Sequence, residues 1–228
     1  MSSKLGPYLL GPNDTPENGI YHGDIRELAS SIPDHSIDLI ICDPPYLKDD
    51  LPIYTDLAKI AKAKLRPGHL LVAYGAGEHL PDHIQRLGEE LNFFWLFALL
   101  HNGGYPRLWH KQLMSGYKPV LVYSNGKPIT TPWMATTHSN QQDKQWHKWG
   151  QGTGFFIKMI ECLCPLNGIV LDPFCGGGTV PAACIALGRN YLAFEIDQDT
   201  CTIARDRVRN TQPPLFIQQV EQPALSLE

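Results

Sequence analysis

The chain predicts an α/β protein built on a doubly wound, mostly parallel sheet, and three observations carry that prediction. Apolar runs of strand length, such as Ile37 to Cys42, Leu70 to Tyr74 and Ile169 to Asp172, alternate with longer segments whose apolar residues recur at helical spacing. A glycine turn, Cys175-Gly176-Gly177-Gly178-Thr179, links one of those strands to a helical pattern through Ala182, Ala183, Ile185 and Leu187. Acidic residues, Asp24, Asp43, Asp172 and Glu195, close four apolar runs, and parallel sheets bind ligands outside the carboxyl ends of their strands.

The elements follow in order. Ile20-Tyr21-His22 reads as a short strand ending at Gly23-Asp24, and Ile25 to Ser31 as a helix before the turn Ile32-Pro33-Asp34-His35. The strand Ile37 to Cys42 comes next. Tyr54 to Leu65 has helical spacing, Leu70 to Tyr74 is a strand, and Leu80 to Leu91 is a helix with Pro81 at its start. Phe93 to Leu100 and Pro119 to Tyr123 are expected to form an antiparallel pair that closes the sheet. Ser124 to Gly150 breaks the pattern and reads as a long loop or short insertion within a single domain of residues 1–228. After the strand Tyr191 to Asp197 and the helix Gln198 to Val208, the tail 211–228, with Pro213, Pro214 and Pro223, is expected to be weakly ordered.

Composition bounds the function. The 228 residues are 43% hydrophobic, enough for one well-buried domain. A formal charge of -4 and a pI of about 6.1 exclude nucleic-acid binding through bulk charge, so any such contact needs a local patch. The longest apolar stretch, Asn92 to Leu100, is far shorter than a membrane span, and Met1-Ser2-Ser3-Lys4 opens no signal peptide, so a soluble cytoplasmic protein is expected. The six cysteines show no zinc spacing and read as reduced core thiols, so no metal is expected. His138 and His147 lie in a polar aromatic segment, where either a solvated histidine or a nucleic-acid contact fits.

Asp43-Pro44-Pro45-Tyr46 follows the buried strand directly. The prolines remove backbone donors and stiffen the turn, leaving carbonyl oxygens beside the Asp43 carboxylate, and Tyr46 offers a ring face. Such a site suits a flat ring bearing an exocyclic amine. The glycine turn lets a ligand approach the backbone, and Glu195 at the end of the following strand is placed to accept from ribose hydroxyls, which points to a nucleoside-containing cofactor. Gly176-Gly177-Gly178 lacks the GxGxxG spacing of a nicotinamide dehydrogenase. Asp197 fits either a ligand contact or the cap of the helix Gln198 to Val208; taken singly, the two prolines would end a strand and Asp24 would cap a helix. Their conjunction favours the ligand reading.

In this order, Asp-Pro-Pro-Tyr before Asp172-Pro173-Phe174-Cys175-Gly176-Gly177-Gly178-Thr179, the chain resembles the amino-methyltransferases that use S-adenosylmethionine to methylate adenine N6 or cytosine N4 in DNA, and within them the circularly permuted beta class. The resemblance runs from about Gly19 to Asn210. It implies a seven-stranded Rossmann-like class I methyltransferase fold with one reversed strand. It also implies catalysis by Asp43, Pro44, Pro45 and Tyr46 on a base flipped out of double-stranded DNA. For the cofactor it implies Asp24 on the adenine amino group, the turn of Phe174, Gly176 and Gly178 on the methionine part and Glu195 on the ribose, with Asp172, Thr179 and Asp197 also in the cofactor-binding set. Lys127, Lys144, Trp146 and Lys148 fall where the family reads its target, and Lys48 follows the catalytic motif; an ordered surface loop is the competing reading of that segment. Two departures stand out: Gly177 replaces the usual serine, and Trp149 to Phe156 lacks the usual Lys-Pro pair at the start of a cofactor-contacting helix. An opening aspartate leans toward adenine N6. Cytosine N4, an RNA amine and a non-catalytic cofactor-binding subunit are the alternatives, and dimerisation is common in the resembling group.

Overall fold

The computed structural model describes residues 19–101, 104–129, 131–140 and 153–212. Among the described residues ten strands are formed: β1 (Ile20–His22), β2 (Ile37–Cys42), β3 (Leu65–Tyr74), β4 (Asn92–His101), β5 (Arg107–Leu108), β6 (Leu113–Met114), β7 (Tyr117–Ser124), β8 (Thr137–Asn140), β9 (Ile169–Asp172) and β10 (Asn190–Glu195). The helices are α1 (Ile25–Leu28), α2 (Pro52–Lys64), α3 (Leu80–Gly88), α4 (Thr153–Leu163), α5 (Thr179–Leu187) and α6 (Gln198–Arg209). Eight strands make one sheet in the order β1-β10-β9-β2-β3-β7-β4-β8, while β5 and β6 form a separate hairpin.

Burial of β2 along its whole length explains why Ile37 to Cys42 carries no polar alternation: each face of the strand is covered. Leu39 and Ile41 point to a core shared with Phe155, Phe156, Met159 and Ile160 of α4 and with α5 and α6. Ile40 and Cys42 point to the opposite core with Tyr54, Leu57 and Ala61 of α2. The two-residue period of the strand thus divides its side chains between two helical layers. The buried Asp38 carboxylate accepts from the Ile169 backbone N–H at 2.9 Å, fixing the start of β9 against β2.

Among the paired strands of this sheet β7 is the reversed one, antiparallel to both β3 and β4, and the other pairings are parallel. Two boundaries differ from expectation. Strand β3 begins at Leu65 rather than Leu70, because a register shift opposite Ile37 to Leu39 absorbs the turn-like Pro67 and Gly68. Strand β8, an eighth member, comes from the segment expected to be a loop; it pairs its polar Thr-His-Ser-Asn sequence with residues 98–101 of β4, so backbone pairing rather than apolar alternation defines it. Among the described residues no helix is long and apolar enough to cross a membrane.

Buried His83 stacks on Tyr54 with ring centroids 4.0 Å apart, and neither ring nitrogen has a hydrogen-bond partner among the described residues. Burial, with a smaller contribution from His79, lowers its pKa from 6.5 to about 4. The unfolded chain therefore takes up a proton below pH ~6.5 that the folded chain refuses until about pH 4, so stability is full above the first value and falls toward the second. Thermal melts of the wild type should lose on the order of 2–3 kcal/mol across that window through this group, and His83→Phe, which keeps the stacking, should flatten the fall. An unchanged slope in the variant would remove His83 from the account.

Candidate active site

Parallel pairing brings the strand ends together at one edge of the sheet. Along that edge the order is Asp24 after β1, Glu195 at the end of β10, Asp172 at the end of β9, Asp43 after β2, and Tyr74 at the end of β3. Because β7 runs the other way, its beginning rather than its end reaches this edge, and Gly75 donates to the Pro119 carbonyl at 3.0 Å, which sets Lys118 beside Tyr74. The chain departs to opposite sides from β9 and β2, so a crevice opens between them, as at the switch point of other doubly wound sheets.

Asp43 is partly exposed, Pro44 is buried, and Pro45 and Tyr46 are exposed. Lys48, in the short turn Lys48–Asp50 that follows, is also exposed. The Lys118 ammonium donates to both Asp43 oxygens, at 2.7 and 2.8 Å, and lies 4.8 Å from the Tyr46 ring centroid and 4.5 Å from that of Tyr74. A motif-based reading missed Lys118 because it sits 75 positions from Asp43 and reads only as the polar start of a strand.

On the other side of the crevice, Gly176 adopts φ 47°, and a side chain built there would meet open space. Its N–H donates to Glu195 Oε2 at 2.9 Å, and the Asp197 N–H donates to Oε1 at 2.9 Å, so two backbone donors hold the Glu195 carboxylate at the strand end. Asp172 is buried and accepts from the Phe174 N–H at 3.1 Å. Burial pushes its carboxyl well above the usual range, opposed by that hydrogen bond and reinforced by the Glu195 and Asp43 charges. Phe174 is half-buried against the helical layer of α2.

Three residues expected at the cofactor have other partners. Thr179 is buried and its hydroxyl accepts from Arg207 of α6 at 2.9 Å. Asp197 caps α6, accepting from the Thr200 N–H at 2.8 Å, and that bond lowers its pKa. Asp24 lies at the crevice but caps α1 and is paired with Arg26, whose hydrogen bonds hold its carboxyl below the usual range. Gly178, at φ 75°, lies where a Cβ would come within 3.0 Å of the Ala204 backbone, so its glycine is required by the packing of α5 on α6. Among the described residues no group of His, Cys, Asp or Glu could hold a metal ion.

The expected nucleic-acid residues separate. Lys127 is exposed at the opposite end of the sheet, its carbonyl against Gly68 near the start of β3, and the structure does not bring it to Asp43. Lys144, Trp146, Lys148 and His147 lie outside the described residues, as do 213–228. His138 packs against Phe97 and Phe155. On the same edge of the sheet, between the end of β4 and the start of β7, stands the β5–β6 hairpin, with Trp109, Leu113, Met114 and the preceding Tyr105 more than half exposed. Exposed Arg107 and Lys111 flank Trp109, and the Arg107 guanidinium lies 5.4 Å from its ring. The alternation of basic and aromatic residues from Arg107 to Lys111 was a readable signal for it.

The sheet order, the glycine turn and the acidic strand ends define a Rossmann-like class I methyltransferase fold. M1.HpyAVI, solved in complex with S-adenosylmethionine, superposes with a TM-score of 0.68 at 21% identity over 83% of this chain and 98% of that one. The PvuII DNA methyltransferase, cytosine-N4-specific, superposes with a TM-score of 0.69 at 17% identity over 86% and 93%. The type II methyltransferase M.HinfI of Haemophilus influenzae is 24% identical over 253 residues, spanning 86% of this chain and 69% of that enzyme. Residues 104–206 match the family model N6_N4_Mtase, described as DNA methylase. That stretch contains β7, the glycine turn and Glu195.

Two substitutions separate the roles of the glycines. Gly178→Ala should lower stability by about 2–3 kcal/mol, combining a left-handed backbone with a clash on α6, whereas Gly176→Ala should cost only about 1 kcal/mol. Urea unfolding of the two variants measures the difference, and equal losses would contradict the assignment.

Proposed function

We propose that the protein transfers a methyl group from S-adenosylmethionine to the exocyclic N6 amine of an adenine flipped out of double-stranded DNA. The observation that carries this reading is the adjacency of the Asp43-Pro44-Pro45-Tyr46 turn and the Gly176 turn across the paired strands β2 and β9. The residues fit the cofactor: the open space at Gly176 admits its methionine part, and the anchored Glu195 can accept from ribose hydroxyls. Asp24, at the end of β1, would take the adenine amino group in exchange for part of its pairing with Arg26, which donates to both of its oxygens. Bound there, S-adenosylmethionine supplies an electrophilic sulfonium methyl.

The remaining chemistry belongs to the chain. An exocyclic amine is a poor nucleophile because its lone pair is delocalised into the ring. Asp43 accepts one N–H and the Pro44 carbonyl the other, which favours a pyramidal nitrogen whose lone pair attacks the methyl in line. The nitrogen grows more acidic as it gains the methyl, so its proton leaves late, to Asp43 or water. Tyr46 provides the stacking face for the flipped base. DNA reaches the crevice over the β5–β6 hairpin, whose Arg107 and Lys111 provide the local positive charge that the chain's net charge of -4 lacks.

An aspartate opening the motif supports adenine. The cytosine-N4 specificity of the PvuII neighbour supports a second reading with the same geometry and a different base. Incubation with unmethylated DNA and methyl-labelled cofactor, followed by nucleoside mass spectrometry, should give N6-methyladenine, with Asp43→Ala lowering the rate at least ~1000-fold. N4-methylcytosine would retain the mechanism and change the base; no labelled DNA nucleoside would refute the DNA reading. Arg107→Ala/Lys111→Ala should weaken DNA binding and reduce the slope of log affinity against log salt by roughly 2. An unchanged slope would place the DNA elsewhere.

A further inference from the structure

The mechanism above leaves Lys118 without a role, although its ammonium is paired with the carboxylate at the centre of that mechanism. The ammonium grips both Asp43 oxygens at 2.7 and 2.8 Å, and its side chain is 10% exposed against 26% for Asp43. An ammonium has three N–H donors. Two are used by Asp43, and the remaining surface of the group lies against the Tyr46 and Tyr74 rings. Lys118 is therefore placed beneath the carboxylate, with its charge already engaged by protein groups, and it is poorly placed to hold a DNA phosphate or a base edge.

We propose that Lys118 is a positioning residue for amine methylation, setting the plane of the Asp43 carboxylate and the tilt of the Tyr46 ring from below so that the exposed edge of Asp43 meets the target N–H. The proposal rests on the amine-transfer reading above. Its physical basis is that a carboxylate plane rotates in a broad, shallow well unless both oxygens are held. Here one cation holds both oxygens and touches the stacking ring, coupling acceptor and platform as a unit. The lysine is itself fixed because β7 is paired on both sides, with Lys118 opposite Leu99 of β4 and Val120 opposite Tyr74 of β3. Misplacement of a reacting group by about 1 Å can cost on the order of 100-fold in rate, so the clamp acts on kcat.

The test is steady-state methylation of DNA by the full chain and by Lys118→Met and Lys118→Arg, with cofactor affinity measured by calorimetry. Lys118→Met should lower kcat about 100-fold while the KM for DNA and the cofactor affinity each stay within about threefold. Lys118→Arg, which can grip a carboxylate at two points and stack on tyrosine, should recover at least about tenfold of that loss. If Lys118→Met melts below the assay temperature, Lys118→Gln carries the comparison, because its amide keeps one donor for Asp43; a lower kcat at unchanged KM supports the proposal. Wild-type kcat in the Met or Gln variant overturns it, as does a loss confined to the KM for DNA, which would make Lys118 a substrate contact. If the wild type methylates no DNA amine, the underlying reading fails and the proposal fails with it; an active wild type with an indifferent lysine refutes the proposal alone.

Discussion

The pairing of β2 with β9 is the constraint on which the rest of the structure depends. These strands come from distant parts of the chain, yet Leu39 pairs with Val170 and Ile40 with Leu171, in parallel. The buried Asp38 carboxylate locks the pair at its start, across 131 positions, through the Ile169 N–H. Parallel register then puts both strand ends on one edge. The turn that carries Asp43 and the turn that carries Gly176 emerge side by side, with the chain leading away from each on opposite sides. No local element could achieve this, since each turn alone is a strand end with unused polar groups.

That edge concentrates charge, and the fold handles each acid differently. Asp172 is buried among other acids and is pushed toward its neutral form. Glu195 is held by two backbone N–H donors, Asp24 by a neighbouring arginine, and Asp43 by a lysine from the reversed strand. The reversal of β7 has a chemical consequence here: a strand parallel to β3 would have brought its end to this edge, and the lysine at its start would have faced the far side. The pattern separates acids suited to recognising a ligand, which remain partly open, from one that supports the turn from within.

Much of this was legible in the sequence. Continuous apolar runs marked the central strands, because strands covered on both faces have no polar alternation to obscure, and the glycine turn and Pro-Pro turn stood at their ends. Less was legible where backbone pairing rather than side-chain burial makes the structure. Strand β8 is polar and is held by hydrogen bonds to β4, and the start of β3 is hidden behind Pro67 and Gly68. Thr179 and Asp197 lie within or beside the motif, yet one is spent on Arg207 and the other on a helix cap, because a motif fixes spacing and not the direction of each side chain. Lys118 and the hairpin were missed for a related reason: their importance comes from where a reversed strand begins.

The most direct test of the central claim, that β2 and β9 bring the donor and the acceptor of the methyl group to one crevice, is a crystal structure of the protein with a non-transferable S-adenosylmethionine analogue. The account predicts the amino-acid part of the analogue at the Gly176 turn, its ribose at Glu195, and the atom replacing the methyl directed across the strand pair at Asp43 and Tyr46. An analogue bound elsewhere, or bound at Glu195 with its reactive end turned away from Asp43, would contradict it.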